Sequence, residues 1–132
     1  MKLSVVILSF NRRDALLRTL REIDAWRGEH DAEVIVVDNG SSDGSVEAVR
    51  EKAPWVKLIA QASNTGVAGF NAGAAMANGE MLLILDDDSW PEPAALTGAM
   101  AMMRSRATLG GVALVPKHPT SKQTEWTFAT RA

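Results

Sequence analysis

The chain alternates short apolar runs with amphipathic stretches. Lys2–Phe10 is β-branched and apolar almost throughout, the pattern of a strand covered on both faces. Asn11 then offers an N-cap to a helix whose third residue is Asp14, with Leu16, Leu20 and Ile23 on one face and Leu17 beside them. Glu33–Asp38 is predicted as a second strand built on Val34-Ile35-Val36-Val37, and Asn39–Gly44 as a turn-rich loop. A short helix follows with Val46 and Val49 inward, closed by Pro54. Val56–Ala60 reads as a third strand. Ser63-Asn64-Thr65-Gly66 leads into a helix carrying Phe70, Ala74 and Ala77, with Asn78-Gly79 as its C-terminal cap. Glu80–Leu85 is a fourth strand, apolar from Met81 onward, and it ends on Asp86-Asp87-Asp88. Pro91 and Pro93 open a helix with Leu96, Met100 and Met103 on one face. Gly110–Val115 is predicted as a fifth strand, and Pro116–Ala132 shows no clear period.

Strands alternating with helices imply an α/β fold: a mostly parallel sheet with helices on both faces. Ligands of such sheets bind outside the carboxyl ends of the strands. The loops after Phe10, Asp38, Ala60 and Leu85 are therefore the place for a site, and all four are polar. A length of 132 residues suggests a single domain, 1–132.

Composition narrows the function classes. Apolar residues make up 46% and charged residues 23%, ordinary for a globular domain. With a formal net charge of −2 there is no basic field for nucleic acid and no basic amphipathic helix for a membrane surface. No cysteine is present, which excludes disulfides, thiolate catalysis and zinc–thiolate sites. No apolar run approaches the ~18 residues of a membrane span. The first apolar stretch is short, lacks a small-residue cleavage site and reads as a strand. The expected location is the cytoplasm or the cytoplasmic face of a membrane.

Asp86-Asp87-Asp88 is the strongest chemical signal. Three acids at a strand's end repel one another unless a cation relieves them, and hard divalent cations favour oxygen ligands. The bland alternative is a solvated acidic turn. Asp38 can cap the turn over 41–44 or accept from an N–H of a base or a ribose hydroxyl. Ser9 and Asn11 can serve as turn and cap residues after the first strand. Asn64-Thr65-Gly66 with Gly69, Asn71 and Gly73 is a glycine-rich helix entry, suited to an anion or to close packing. Trp90, Met100, Met102 and Met103 read as packing residues, and His30 and His118 as surface residues.

Together these residues resemble the family 2 glycosyltransferases of the GT-A fold. The resemblance rests on four blocks in order: Val5–Arg12, Val36–Ser45, Asn64–Gly73 and Leu83–Pro93. It spans roughly residues 2–115, and its closest flavour is the rhamnosyltransferase-like branch. It implies a nucleotide-diphospho-sugar donor (UDP-, dTDP- or GDP-linked), a glycan or lipid-linked acceptor, Mn²⁺ or Mg²⁺, inversion at the anomeric carbon and a role in cell-surface polysaccharide synthesis. By the same resemblance Asp38 contacts the base, Asp86 lies near the ribose and Asp88 is the metal ligand of a D-x-D motif. Asp87 takes its variable middle position beside the nucleotide. Ser9 and Asn11 line the nucleotide pocket, and Asn64 and Gly66 form the loop beside the diphosphate.

The chain is shorter than that family pattern. The general base and acceptor site are expected in a C-terminal half absent here; Glu125, the only acid beyond Glu92, has nothing around it to mark it as the base. The chain is accordingly expected to be a fragment or short product that binds donor but turns over poorly or not at all. Surface left by the absent half is expected to favour a homodimer. Rival readings are a non-catalytic nucleotide-binding or interaction module of the same fold, and a receiver-like domain. The receiver expects an acid pair after the first strand, where this chain has Ser9 and Asn11.

Overall fold

The computed structural model describes residues 2–118 and 120–122, which fall into two compact units, one ending at Trp90 and one beginning at Pro91. The first unit is a four-stranded, wholly parallel sheet: β1 (Leu3–Ser9), β2 (Ala32–Asp38), β3 (Lys57–Ala60) and β4 (Met81–Asp86), in the order β3-β2-β1-β4. The connections carry α1 (Arg13–Asp24), α2 (Ser45–Lys52) and α3 (Gly69–Ala75). Crossovers send β1→β2→β3 in one direction and β3→β4 back across the sheet. They set α1 and α2 on one face and α3 on the other.

Both faces of the two central strands are dry. Val5, Val6, Ile7 and Val34–Val37 are all buried, which is why their runs are continuous rather than alternating. Val6, Ile35 and Val37 pack with Leu8, Ile59, Phe70 and Ala77 on the α3 face. Gly73 lets α3 come this close: a Cβ there would lie 2.3 Å from Val6 Cγ1. Opposite, α1 buries Leu16, Leu17, Leu20 and Ile23 along one stripe. The edge strand β4 is apolar on both sides yet exposes Leu82 and Ile84, unlike the two central strands.

A buried polar knot ties the strand beginnings together. Glu33 accepts hydrogen bonds from Ser4 Oγ (2.5 Å), Lys57 Nζ (2.5 Å) and the Asn78 amide (2.6 Å). Ser4 Oγ in turn accepts from the Gly79 amide at 2.8 Å. Burial on its own would raise the Glu33 pKa, but the donors outweigh it and hold the carboxyl at about 2. Asn78-Gly79 is therefore not the cap of α3, which ends three residues earlier at Ala75. Gly79 is needed because a Cβ would lie 2.6 Å from the Ser4 nitrogen.

Among its described residues the second unit contains one helix, α4 (Pro93–Ser105), opened by Pro93 and burying Leu96 and Met100 as expected. Residues 110–115 form no strand, which corrects the fifth-strand expectation. Apolar composition supplies neither burial nor a partner edge here, Val112 and Val115 being exposed, and Gly110-Gly111 adds chain entropy that an unpaired strand cannot offset. Among the described residues no helix is long and apolar enough to cross a membrane.

Glu33→Ala is expected to cost about 3 kcal/mol at pH 7, because three donors lose a buried ionised acceptor. The Glu33 contribution is complete above its unfolded pKa of 4.5 and fades as pH falls towards about 2. Urea melts of wild type and Glu33→Ala at pH 7 and pH 3 should show the gap narrowing in acid. Gly79→Ala should destabilise by more than 2 kcal/mol on the order of other overpacked sites, since only backbone could give way.

Candidate functional site

Parallel pairing brings the strand ends to one line. Ser9 of β1 sits beside Asp38 of β2, Leu8 beside Asp86 of β4, and Asp38 beside Ala60 of β3. Three of the four acids singled out in the sequence thus reach the carboxyl edge directly from a strand or its next residue. Asp38 is 1% exposed. Its Oδ2 accepts from the amides of Gly40 (3.2 Å) and Ser41 (2.8 Å), the turn-capping role. Its Oδ1 is buried without a hydrogen-bond partner among the described residues. A carboxylate oxygen left so is costly and calls for a donor from elsewhere.

The three acids after β4 part company. Asp87 turns inward: it is 5% exposed, its Oδ2 accepts from Ser9 Oγ at 3.0 Å, and its backbone carbonyl accepts from Thr19 Oγ1 of α1 at 2.8 Å. Asp88 turns outward to Arg12, whose Nη1 lies 2.8 Å from Asp88 Oδ2 and 3.5 Å from Asp87 Oδ1. Asp86 is exposed at the strand end. Burial raises the Asp87 carboxyl above its ordinary range, with Ser9 and Arg12 only partly opposing it. Arg12 is held protonated still more firmly than usual, by Asp88 first and then Asp87.

The adjoining loops are fastened to each other as well as to their own helices. Asn11 has φ +50° and is not the N-cap of α1; its Oδ1 accepts from the Ser42 amide and its own amide donates to Ser41 Oγ. Arg12 takes the cap position without a side-chain bond, and Asp43 Oδ2 accepts from the Arg13 amide at 2.9 Å. Asp43 also accepts from the Ser45 amide and hydroxyl, so it serves the starts of two helices. Burial would raise its pKa, but these donors prevail and lower it. On the other side, buried Asn39 donates to the Gly66 carbonyl at 3.0 Å and accepts from Thr65 Oγ1 at 3.2 Å. Gly66 adopts φ +62°, and Asn64 Oδ1 accepts from its amide at 2.8 Å. Asn39, Asp43 and Arg12 escaped notice as site-building residues because their partners lie 27 to 76 positions away.

Trp90 is half-buried, with the Arg18 guanidinium 5.2 Å from its ring centre. His30 makes an edge contact with Trp26. Glu125 lies outside the described residues. Among the described residues no three acidic or histidine side chains are grouped to hold a metal.

The chain matches the model of Glycosyl transferase family 2 over residues 4–130. An uncharacterized glycosyltransferase of Nostoc sp. is 39% identical over 95 residues, covering 68% of this chain but 29% of its own length. A mannosyltransferase from Pyrobaculum calidifontis, solved in complex with GDP-Man and Mn²⁺, superposes with a TM-score of 0.68 at 29% identity, over 77% of this chain and 32% of that one. Residues 1–349 of TarS from S. aureus, solved with UDP-GlcNAc, give 0.67 at 27% identity, over 80% and 32%. The chain spans about a third of each of these proteins.

Because its carboxyl is buried and its pKa raised, Asp87 favours folding most in acid, and that share is lost as pH climbs from 3.8 through the raised value. Asp87→Asn should therefore leave stability at pH 7 unchanged or improved. Asp87→Ala should lose about 1–2 kcal/mol, because the Ser9 hydroxyl is stranded. Thermal melts at pH 7 of the two variants decide this.

Proposed function

This chain belongs to Glycosyl transferase family 2, and on that premise we propose that its carboxyl edge binds the nucleotide diphosphate of a sugar donor. The observation that carries the reading is the register: Ser9, Asp38 and Asp86 are brought to one edge, with a buried, unpartnered Asp38 oxygen among them. In this proposal Asp38 accepts an N–H of the base and Asp86 a ribose hydroxyl. Asn64 and Gly66 shape the turn beside the diphosphate, and Ser9 and Asn11 frame the pocket. Asp87 aligns the strand end from beneath the nucleotide. The donor is UDP-, dTDP- or GDP-linked, and the acceptor is a hydroxyl on a glycan or lipid-linked acceptor in cell-surface polysaccharide synthesis. The reaction belongs in the cytoplasm or at the cytoplasmic face of a membrane.

Metal fits this edge in a limited way. The carboxylates are hard oxygen donors, but they do not converge into a protein-only cage. That suits Mg²⁺ or Mn²⁺ held by one or two carboxylates, with phosphate and water completing the shell. Asp88 is the residue proposed to hold it. When bound, the ion supplies charge neutralisation for the departing nucleoside diphosphate. Attack of the acceptor hydroxyl from the far side inverts the anomeric carbon and requires a carboxylate base, placed by this reading beyond the described residues. On its own, residues 1–132 should bind donor without efficient turnover, and self-association through the exposed face of β4 belongs to the same proposal.

Calorimetric titration with UDP, dTDP and GDP, with and without Mn²⁺, tests this directly. At least one should bind, and more tightly with metal. Asp38→Ala should weaken that binding by about tenfold or more, the cost of one charged hydrogen bond. Absence of binding to all three would support a non-catalytic interaction module instead.

A further inference from the structure

We propose that Arg12 is a built-in counter-cation that occupies the Asp87–Asp88 carboxylates until a donor diphosphate draws it away. This rests on the sugar-nucleotide reading above. Three features carry it. Arg12 reaches from the β1–α1 loop across to the residues after β4, with one nitrogen 2.8 Å from Asp88 and 3.5 Å from Asp87. Its start point is fixed, because Asn11 is pinned through Ser41 and Ser42 and the Arg13 amide is held by Asp43. Its far end is not: the Arg12 side chain is 57% exposed and Asp88 52%, so the pair can open without unpacking the core.

Asp87 cannot turn away to receive a metal, since Ser9 and Thr19 hold its carboxylate and its carbonyl from below. Asp88 is the mobile partner, and in the unliganded chain it is already neutralised. A divalent ion arriving alone must compete with a tethered guanidinium for the same oxygen. A diphosphate changes the balance, because a guanidinium matches phosphate oxygens in a forked geometry and is as well paired there as with a carboxylate. Arg12 then moves from acid to phosphate, Asp88 is freed for the metal, and metal and nucleotide bind cooperatively. Arg12 is on this view a positioning residue that makes the edge prefer metal together with donor over metal alone.

The test is Mn²⁺ binding followed by electron paramagnetic resonance of the free ion, beside UDP and GDP binding by calorimetry. Arg12→Gln should tighten Mn²⁺ binding without nucleotide by about fivefold, the upper range for releasing an exposed ion pair. It should weaken nucleoside diphosphate binding at saturating Mn²⁺ by a similar factor. Arg12→Lys should behave nearer to wild type in the metal titration, and in an Asp88→Asn background Arg12→Gln should no longer tighten metal. Arg13→Gln removes a neighbouring charge that pairs with Asp14 and should do neither. Thermal melts verify that each variant is folded. Unchanged or weaker Mn²⁺ binding in Arg12→Gln, no Mn²⁺ binding by either chain, or an equal gain from Arg13→Gln overturns the proposal. If wild type binds none of UDP, dTDP and GDP, the donor reading fails, and the metal-only titration still decides the role of Arg12.

Discussion

Parallel pairing of β1 with both β2 and β4 is the constraint from which the site follows. A parallel neighbour must be reached by a crossover, so every strand of this sheet ends on the same edge and every strand-to-helix loop starts there. The pairing is secured by a core dry on both faces of β1 and β2. It is fixed at the opposite edge by Glu33, which gathers Ser4, Lys57 and Asn78 from three other segments. The two edges divide the labour. Charge at the beginning of the strands is fully satisfied and serves stability, whereas charge at their ends is only partly satisfied.

That partial satisfaction gives the carboxyl edge its chemistry. Asp38 has one oxygen committed to the backbone of its own turn and one without a partner. Asp87 is committed to the fold, and Asp88 is committed only to a side chain that solvent reaches. Three consecutive acids therefore do three different things, because a strand end places successive residues in different surroundings. The edge is preorganised where Asp38 and Asp87 meet the backbone and adjustable at the exposed Arg12–Asp88 pair, as the proposed binding of an anionic, metal-associated ligand would require.

Much of this was legible in the sequence, and the parts that were not share a cause. The runs Val5–Leu8 and Val34–Val37 announce strands because burial on both faces leaves no polar positions, and Met81–Leu85 announces one although Leu82 and Ile84 are exposed. Strand–helix alternation then gives the topology, and the four matched blocks point to the family, which sets the receiver alternative aside. Non-local partners were not legible. Asn11 looks like a cap because its neighbours in sequence are a helix start, yet it bonds to residues 30 positions on. Asn78-Gly79 looks like a helix end, yet it serves β1. Gly110–Val115 has the composition of a strand without a strand to pair with. Asp87 looks equivalent to Asp86 and Asp88 until the sheet puts Ser9 beneath it.

On the proposed function, ligand and metal meet at the carboxyl edge of β1, β2 and β4. Paramagnetic broadening of backbone amide signals by substoichiometric Mn²⁺ with nucleoside diphosphate tests it residue by residue, without any substitution. Broadening should be strongest around residues 9–12, 38–41, 64–69 and 86–89, and weak around Glu33, Asn78 and Gly79 at the other end of the strands. Broadening centred on that opposite end, or spread evenly over exposed acids such as Asp14, Asp24 and Glu47, would contradict it.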